Sequence, residues 1–138
     1  SASLVGSEMC IRDRTHVVLR GAVSKHGNTT QNYHYEDLIR LHDMYAKMDV
    51  VNPAAIIDTN HSNSGKKFKE QVRIAREVMH NRQLSSDIRG LVKGLMIESY
   101  IEPGNQKVGD GVYGKSITDA CLGWAESEKL LYDIADLA

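Results

Sequence analysis

Four residues with the chemistry to hold a metal ion or an anion stand at or just beyond the ends of apolar runs: Arg20, His61, Glu98 and Asp119. One imidazole and two carboxylates make a partial shell for a divalent ion such as Mn²⁺, Fe²⁺ or Zn²⁺. An arginine beside them offers a planar fork of donors matched to phosphate or carboxylate. His61 is the anchor of this set. Ala54, Ala55, Ile56 and Ile57 form an apolar run of strand length that ends in Asp58, and a polar turn with Asn60, His61, Ser62 and Asn63 leads into a basic segment. In α/β folds the loops at the carboxyl ends of parallel strands carry the chemistry. Each residue also has a plainer reading when taken singly. His61 could cap a helix or bond a neighbour, Glu98 and Arg20 could be ion-pair partners, and Asp119 could be an acid of a first helical turn. The joint placement is what favours a site.

The elements that must position these residues follow from periodicity. Val17, Val18 and Leu19 read as a short strand stopping at Arg20 and Gly21, with a long polar loop over residues 24–32. Leu38, Leu41, Tyr45 and Met48 are spaced for an amphipathic helix, closed by Asn52 and Pro53. After the strand that ends in Asp58, a second helix is expected with Asn63 or Ser64 as N-cap. Phe68, Val72, Ala75 and Met79 would lie on its inner face, and Lys66, Lys67, Lys69, Arg73 and Arg76 on its solvated one. Loop residues 85–87 lead to a third apolar run, 91–97, ending at Glu98. A glycine-rich loop over 103–114 then delivers the chain to a last helix with Ile117, Cys121, Trp124, Leu131 and Ile134 turned inward. The sum is β-loop-α three times over, an α/β pattern with a parallel sheet covered by helices. A complete eightfold barrel takes about 250 residues, so this pattern predicts the last units of something larger.

Bulk properties narrow the function. The net charge of −1 from 17 basic and 18 acidic residues leaves no footprint for nucleic acid or an anionic membrane. No apolar run approaches the roughly 20 residues of a membrane helix, and there is no secretory signal pattern. Cys10 and Cys121, the two cysteines, form no CxxC pair, which suits a reducing cytosol; the expectation is a soluble cytoplasmic protein. Residues 1–14 show no clear period and are expected to be foreign to the domain, a scar of expression or read assembly, leaving residues 15–138 as the domain. The stretch 109–116, GDGVYGKS, matches the P-loop pattern letter for letter. Its context is wrong, because polar residues separate it from the preceding strand and the only strand ending in Asp comes before it.

From His16 onward the chain resembles the C-terminal part of class I 3-deoxy-D-arabino-heptulosonate 7-phosphate (DAHP) synthase. The stretches that carry the resemblance are HVVLRG at 16–21, DTNHSNS at 58–64, MIES at 96–99, EPGNQ at 102–106 and YGKSITDAC at 113–121. The resemblance implies the C-terminal three β/α units of a TIM (β/α)₈ barrel, incomplete in this chain. It implies an aldol-type condensation of phosphoenolpyruvate with erythrose 4-phosphate, giving DAHP and phosphate, the first step of the shikimate pathway. Arg20 falls on a phosphoenolpyruvate-binding arginine, and His61, Glu98 and Asp119 fall on three of four ligands to a divalent ion (Mn²⁺, Fe²⁺, Zn²⁺ or Co²⁺), His61 also being taken as catalytic. A homo-oligomer is implied for the full-length enzyme.

Two departures accompany the resemblance. Asn60 stands where many members have serine. The fourth ligand, a cysteine near the first strand, and the other phosphate-binding lysines and arginines belong to strands that precede this segment; Cys10 is not that cysteine, and Cys121 is expected in the core of the last helix. The chain alone is therefore expected to be an incomplete, inactive site. The competing expectation is a non-catalytic part-barrel that oligomerises through its open sheet edge or binds phosphate or metal weakly.

Overall fold

The computed structural model describes residues 15–138, so residues 1–14, and Cys10 with them, lie outside the described residues. Strand β1 (Val17–Leu19) is followed by β2 (Ala22–Val23), β3 (Thr29–Thr30), helix α1 (Tyr35–Ala46), β4 (Ala55–Asp58), helices α2 (Glu70–Leu84) and α3 (Ser86–Leu91), and β5 (Val92–Met96). The chain closes with β6 (Glu102–Asn105), β7 (Lys115–Ser116) and α4 (Trp124–Leu137).

β1, β4 and β5 pair in parallel in that spatial order, with Leu19 opposite Ile57 and Ile57 opposite Leu95. Parallel neighbours need crossover connections. Here α1 joins β1 to β4, and α2 with α3 joins β4 to β5. Successive strand residues point to opposite faces, and the two faces differ. Ala55, Ile57 and Val92 are buried in one cluster with Tyr33, Leu38, Ile74, Val78, Ile88 and Leu91, against which Leu19 and Leu95 pack. Burying each large aliphatic side chain there contributes about 1.5–3 kcal/mol. The intervening row, Val18, Ile56 and Gly94, faces the opposite side, where Val18 is 38% exposed. A second, smaller cluster of Ala75, Leu122 and Leu130 fixes α4 against α2.

The alternation of strand and helix is as the periodicity predicts; the boundaries differ for identifiable reasons. The polar loop expected over 24–32 includes β3, which pairs antiparallel with β2 just ahead of the loop. α2 starts at Glu70 rather than near Ser64. The reason is that the side chains of Asn63 and Ser64 are committed elsewhere. Asn63 Nδ2 donates to Leu19 O and Asp58 O, its Oδ1 accepts from Asn32 N, and Ser64 Oγ donates to Asn60 Oδ1. Lys66, Lys67 and Lys69 consequently precede the helix. Residues 85–87 are not a loop but the start of α3, since Ser85 Oγ accepts from Ile88 N and caps it. Met48 falls beyond the end of α1 and is exposed.

The largest correction concerns α4. Ile117, Trp124 and Leu131 are 58, 67 and 63% exposed, while Leu130 is buried. Cys121 and Leu122 lie ahead of the helix, because their backbones bond to residues 98–104: Leu122 N donates to Glu98 O, Tyr100 N to Leu122 O, and Gly104 and Cys121 exchange both bonds. That pairing delays the helix to Trp124 and turns Leu130 and Ile134, not Leu131, inward. Cys121 is half-buried beside the core rather than within it. Among the described residues no helix is long and apolar enough to cross a membrane.

Candidate metal and anion site

The carboxyl ends of β1, β4 and β5 lie side by side because the strands are parallel and pair Leu19 with Ile57 and Asp58 with Met96, and the residues just beyond them converge. β4 ends in Asp58, whose carboxylate is 1% exposed. A buried carboxylate needs partners on both oxygens. Asp58 Oδ1 accepts from Asn60 N at 2.8 Å, and Oδ2 lies 2.6 Å from His61 Nδ1. An ionised carboxylate can only accept, so Nδ1 is the ring nitrogen that donates to Asp58, and Nε2 is the one turned toward Glu98 and Asp119. This is the way protein histidines are oriented toward metals.

His61 reaches this position through a tight turn. Ser64 N donates to Asn60 O, Gly65 N to Ser62 O, and Lys66 N to His61 O. His61 itself has φ 23° and Lys66 φ 62°, a region L-residues enter at a cost of about 1–3 kcal/mol and keep where surrounding bonds over-determine them. His61 Nε2 stands 3.4 Å from Glu98 Oε1 and 3.7 Å from Asp119 Oδ2. One ligand atom from each of His61, Glu98 and Asp119 lies within 4.8 Å of the others. An imidazole nitrogen and two carboxylate oxygens at this spacing, with Asp58 behind them, form a donor set suited to a divalent ion. Burial raises the pKa of the nearby Cys121 thiol, against a hydrogen bond from Ser116, and the charges of Glu98 and Asp119 add to the rise.

Beside the cluster is an open cavity of about 380 Å³ lined by Arg20, Gly21, His61, Ser62, Lys66 and Asp119 among others. Two cations facing a metal-type donor set suit a ligand that is anionic at one end and has a polarisable oxygen at the other. All four residues expected from sequence, Arg20, His61, Glu98 and Asp119, thus border one region. Asp119 lies in the loop after β7 rather than in a helix. Gly21 makes the close approach possible: at φ +76° an added Cβ would sit 2.8 Å from Ser62 Cβ and 2.8 Å from Thr30 O. Gly21→Ala is expected to destabilise the chain by at least about 2 kcal/mol, read as a lower denaturation midpoint. An unchanged midpoint would mean that the β1 and β4 loops are not held together there.

Sequence reasoning missed the residues that hold the donors. Gln71 is fully buried: its Oε1 accepts from Thr59 Oγ1 and Glu98 N, and its Nε2 donates to Glu98 O. A glutamine within a helix carries no signal of such a role. Asp58 did carry one, being an acid at a buried strand end three residues before a histidine. The stretch matching a P-loop is not one, since Lys115 and Ser116 form β7, paired with β6, and the next helix begins only at Trp124.

Residues 7–132 match the profile of the DAHP synthetase I family. The chain is 40% identical over 124 residues to a Trp-sensitive phospho-2-dehydro-3-deoxyheptonate aldolase of Enterobacter agglomerans, covering 88% of this chain and 33% of that protein. It is 34% identical over 137 residues to the phospho-2-dehydro-3-deoxyheptonate aldolase of Haemophilus influenzae, covering 97% of this chain and 34% of that one. The solved structure of the Francisella tularensis phospho-2-dehydro-3-deoxyheptonate aldolase superposes with a TM-score of 0.78 at 29% identity, covering 91% of this chain and 34% of that structure. The chain therefore spans about a third of the length of the curated relatives it matches.

Proposed function

Because the chain belongs to the DAHP synthetase I family, we propose that it is the C-terminal three β/α units of a (β/α)₈ barrel enzyme that condenses phosphoenolpyruvate with erythrose 4-phosphate. The observation that carries this reading is the convergence of His61 Nε2, Glu98 Oε1 and Asp119 Oδ2 at strand ends beside the Arg20 cavity. Two further features support the part-barrel. Among the described residues the core cluster with the helices lies on the face of Ala55, Ile57 and Val92, and the other face bears Val18, Ile56 and Gly94 as a barrel interior would.

In the reaction, the methylene carbon of phosphoenolpyruvate forms a bond to the aldehyde carbon of erythrose 4-phosphate, water adds to the adjacent carbon, and phosphate leaves. Arg20 would hold phosphoenolpyruvate by its anionic end, and Lys66, on the same cavity wall, would add a second positive charge. His61, Glu98 and Asp119 would hold a divalent ion, which when bound supplies Lewis acidity at the aldehyde oxygen. Asp58 would hold the His61 ring through Nδ1 and so direct Nε2 at the ion.

The test is to titrate the chain with Mn²⁺ and then supply both substrates. The expected result is weak binding of one ion per chain and no DAHP formed, since the remaining ligand and phosphate-binding groups belong to other strands of the barrel. Turnover by the chain alone would overturn the part-site reading. Absence of Mn²⁺ binding at millimolar concentration would overturn the triad.

A further inference from the structure

We infer that Asn60 is the positioning residue that decides which oxygens of the cluster are offered to a cation, and that it holds Glu98 as a one-oxygen donor; this rests on the metal reading above. Asn60 is 3% exposed, and every hydrogen-bonding group on it is engaged. Its backbone N–H donates to Asp58 Oδ1 at 2.8 Å. Its side-chain Oδ1 accepts from Ser64 Oγ at 2.9 Å, which orients the amide so that the NH₂ group faces the cluster. From there Nδ2 donates to Glu98 Oε2 at 2.7 Å and to Ala120 O at 3.4 Å.

One buried residue thus touches all three donor segments: His61 through Asp58, Glu98 directly, and Asp119 through the carbonyl of the next residue. With Oε2 taken by the amide, Glu98 presents Oε1 alone toward His61 Nε2, 3.4 Å away. A carboxylate limited to one oxygen lowers the number of ligands a site can supply. That disfavours Ca²⁺, which takes six to eight oxygens and uses bidentate carboxylates, relative to a smaller transition ion that accepts imidazole. Asn60 therefore serves cation choice as well as affinity.

The experiment measures Mn²⁺ and Ca²⁺ binding to the chain and to Asn60→Ala by calorimetric titration, with the Mn²⁺ electron paramagnetic resonance spectrum as a second readout of the site. Asn60→Ala frees Oε2 and lets Glu98 rotate. Mn²⁺ affinity is expected to fall by about 10- to 100-fold while Ca²⁺ affinity holds or rises, so that the preference for Mn²⁺ shrinks by at least about tenfold. Should Asn60→Ala melt below the assay temperature, Asn60→Val, close in size and with no group to donate to Glu98 Oε2, carries the same expectation. Mn²⁺ binding by the parent chain with both affinities unchanged, or reduced by the same factor, in the variant overturns the role of Asn60 and leaves the triad standing. No Mn²⁺ binding by the parent chain overturns the triad and the Asn60 role together.

Discussion

His61→Ala is expected to lower the affinity of the chain for Mn²⁺ by more than the roughly 10- to 100-fold that loss of a supporting residue costs, because it deletes a donor atom outright. In a full-length enzyme carrying this segment, turnover is expected to vanish with the fold retained. A second consequence follows from Asp58. Its Oδ2 faces His61 Nδ1 at 2.6 Å and its side chain is 2% exposed, so the alanine variant strands a buried carboxylate oxygen. Leaving a buried polar group unpaired costs about 1–3 kcal/mol, and more when it is charged. Stability should therefore fall along with binding. The double variant His61→Ala/Asp58→Asn, which removes the stranded charge, should regain much of the stability and none of the binding. Titration and thermal melts on the same samples separate the two effects. Near-parental Mn²⁺ binding in His61→Ala would remove His61 from the site.

Gln71→Leu tests the clamp behind Glu98 and carries a large stability effect. The side chain is 0% exposed and bonds Glu98 on both sides of its backbone, at 2.8 Å to N and 3.0 Å to O, while accepting from Thr59 Oγ1 at 3.1 Å. Leucine fills nearly the same volume, so cavity formation contributes little and the change isolates the polar term. Glu98 O keeps Leu122 N as a donor, so the loss falls on the Glu98 N–H, left without its acceptor, and is expected to cost about 2 kcal/mol, which for a domain of this size lowers the melting temperature by about 7 °C. Mn²⁺ affinity should drop with it, because Glu98 loses the anchor that sets its height at the end of β5. A melt shifted by less than about 1 kcal/mol would show that the backbone bonds of residues 96–99 hold Glu98 without help.

The order of elements and the residues at strand ends follow from local patterns in the chain. The apolar run before Asp58 has the length and composition of a buried strand, and Ala55 and Ile57 are fully buried in β4. Leu38, Leu41 and Tyr45 carry a helical period that needs no distant partner to be read, and all three pack against the core from α1. The motifs at 58–64, 96–99 and 113–121 are contiguous, so the family and the identities of His61, Glu98 and Asp119 were legible before any geometry was known. Only the tertiary structure decided how those residues are held. Asn60 meets Glu98 across 38 residues and Ala120 across 60, Gln71 meets Glu98 across 27, and Asn63 meets Leu19 across 44. Hydrogen bonds of that separation leave no local period. For the same reason Asn63 reads as a helix cap until β1 arrives to claim its amide. The face of α4 depends likewise on residues 98–104 having taken the backbone of Cys121 and Leu122, which turns Leu130 inward and leaves Trp124 and Leu131 in solvent.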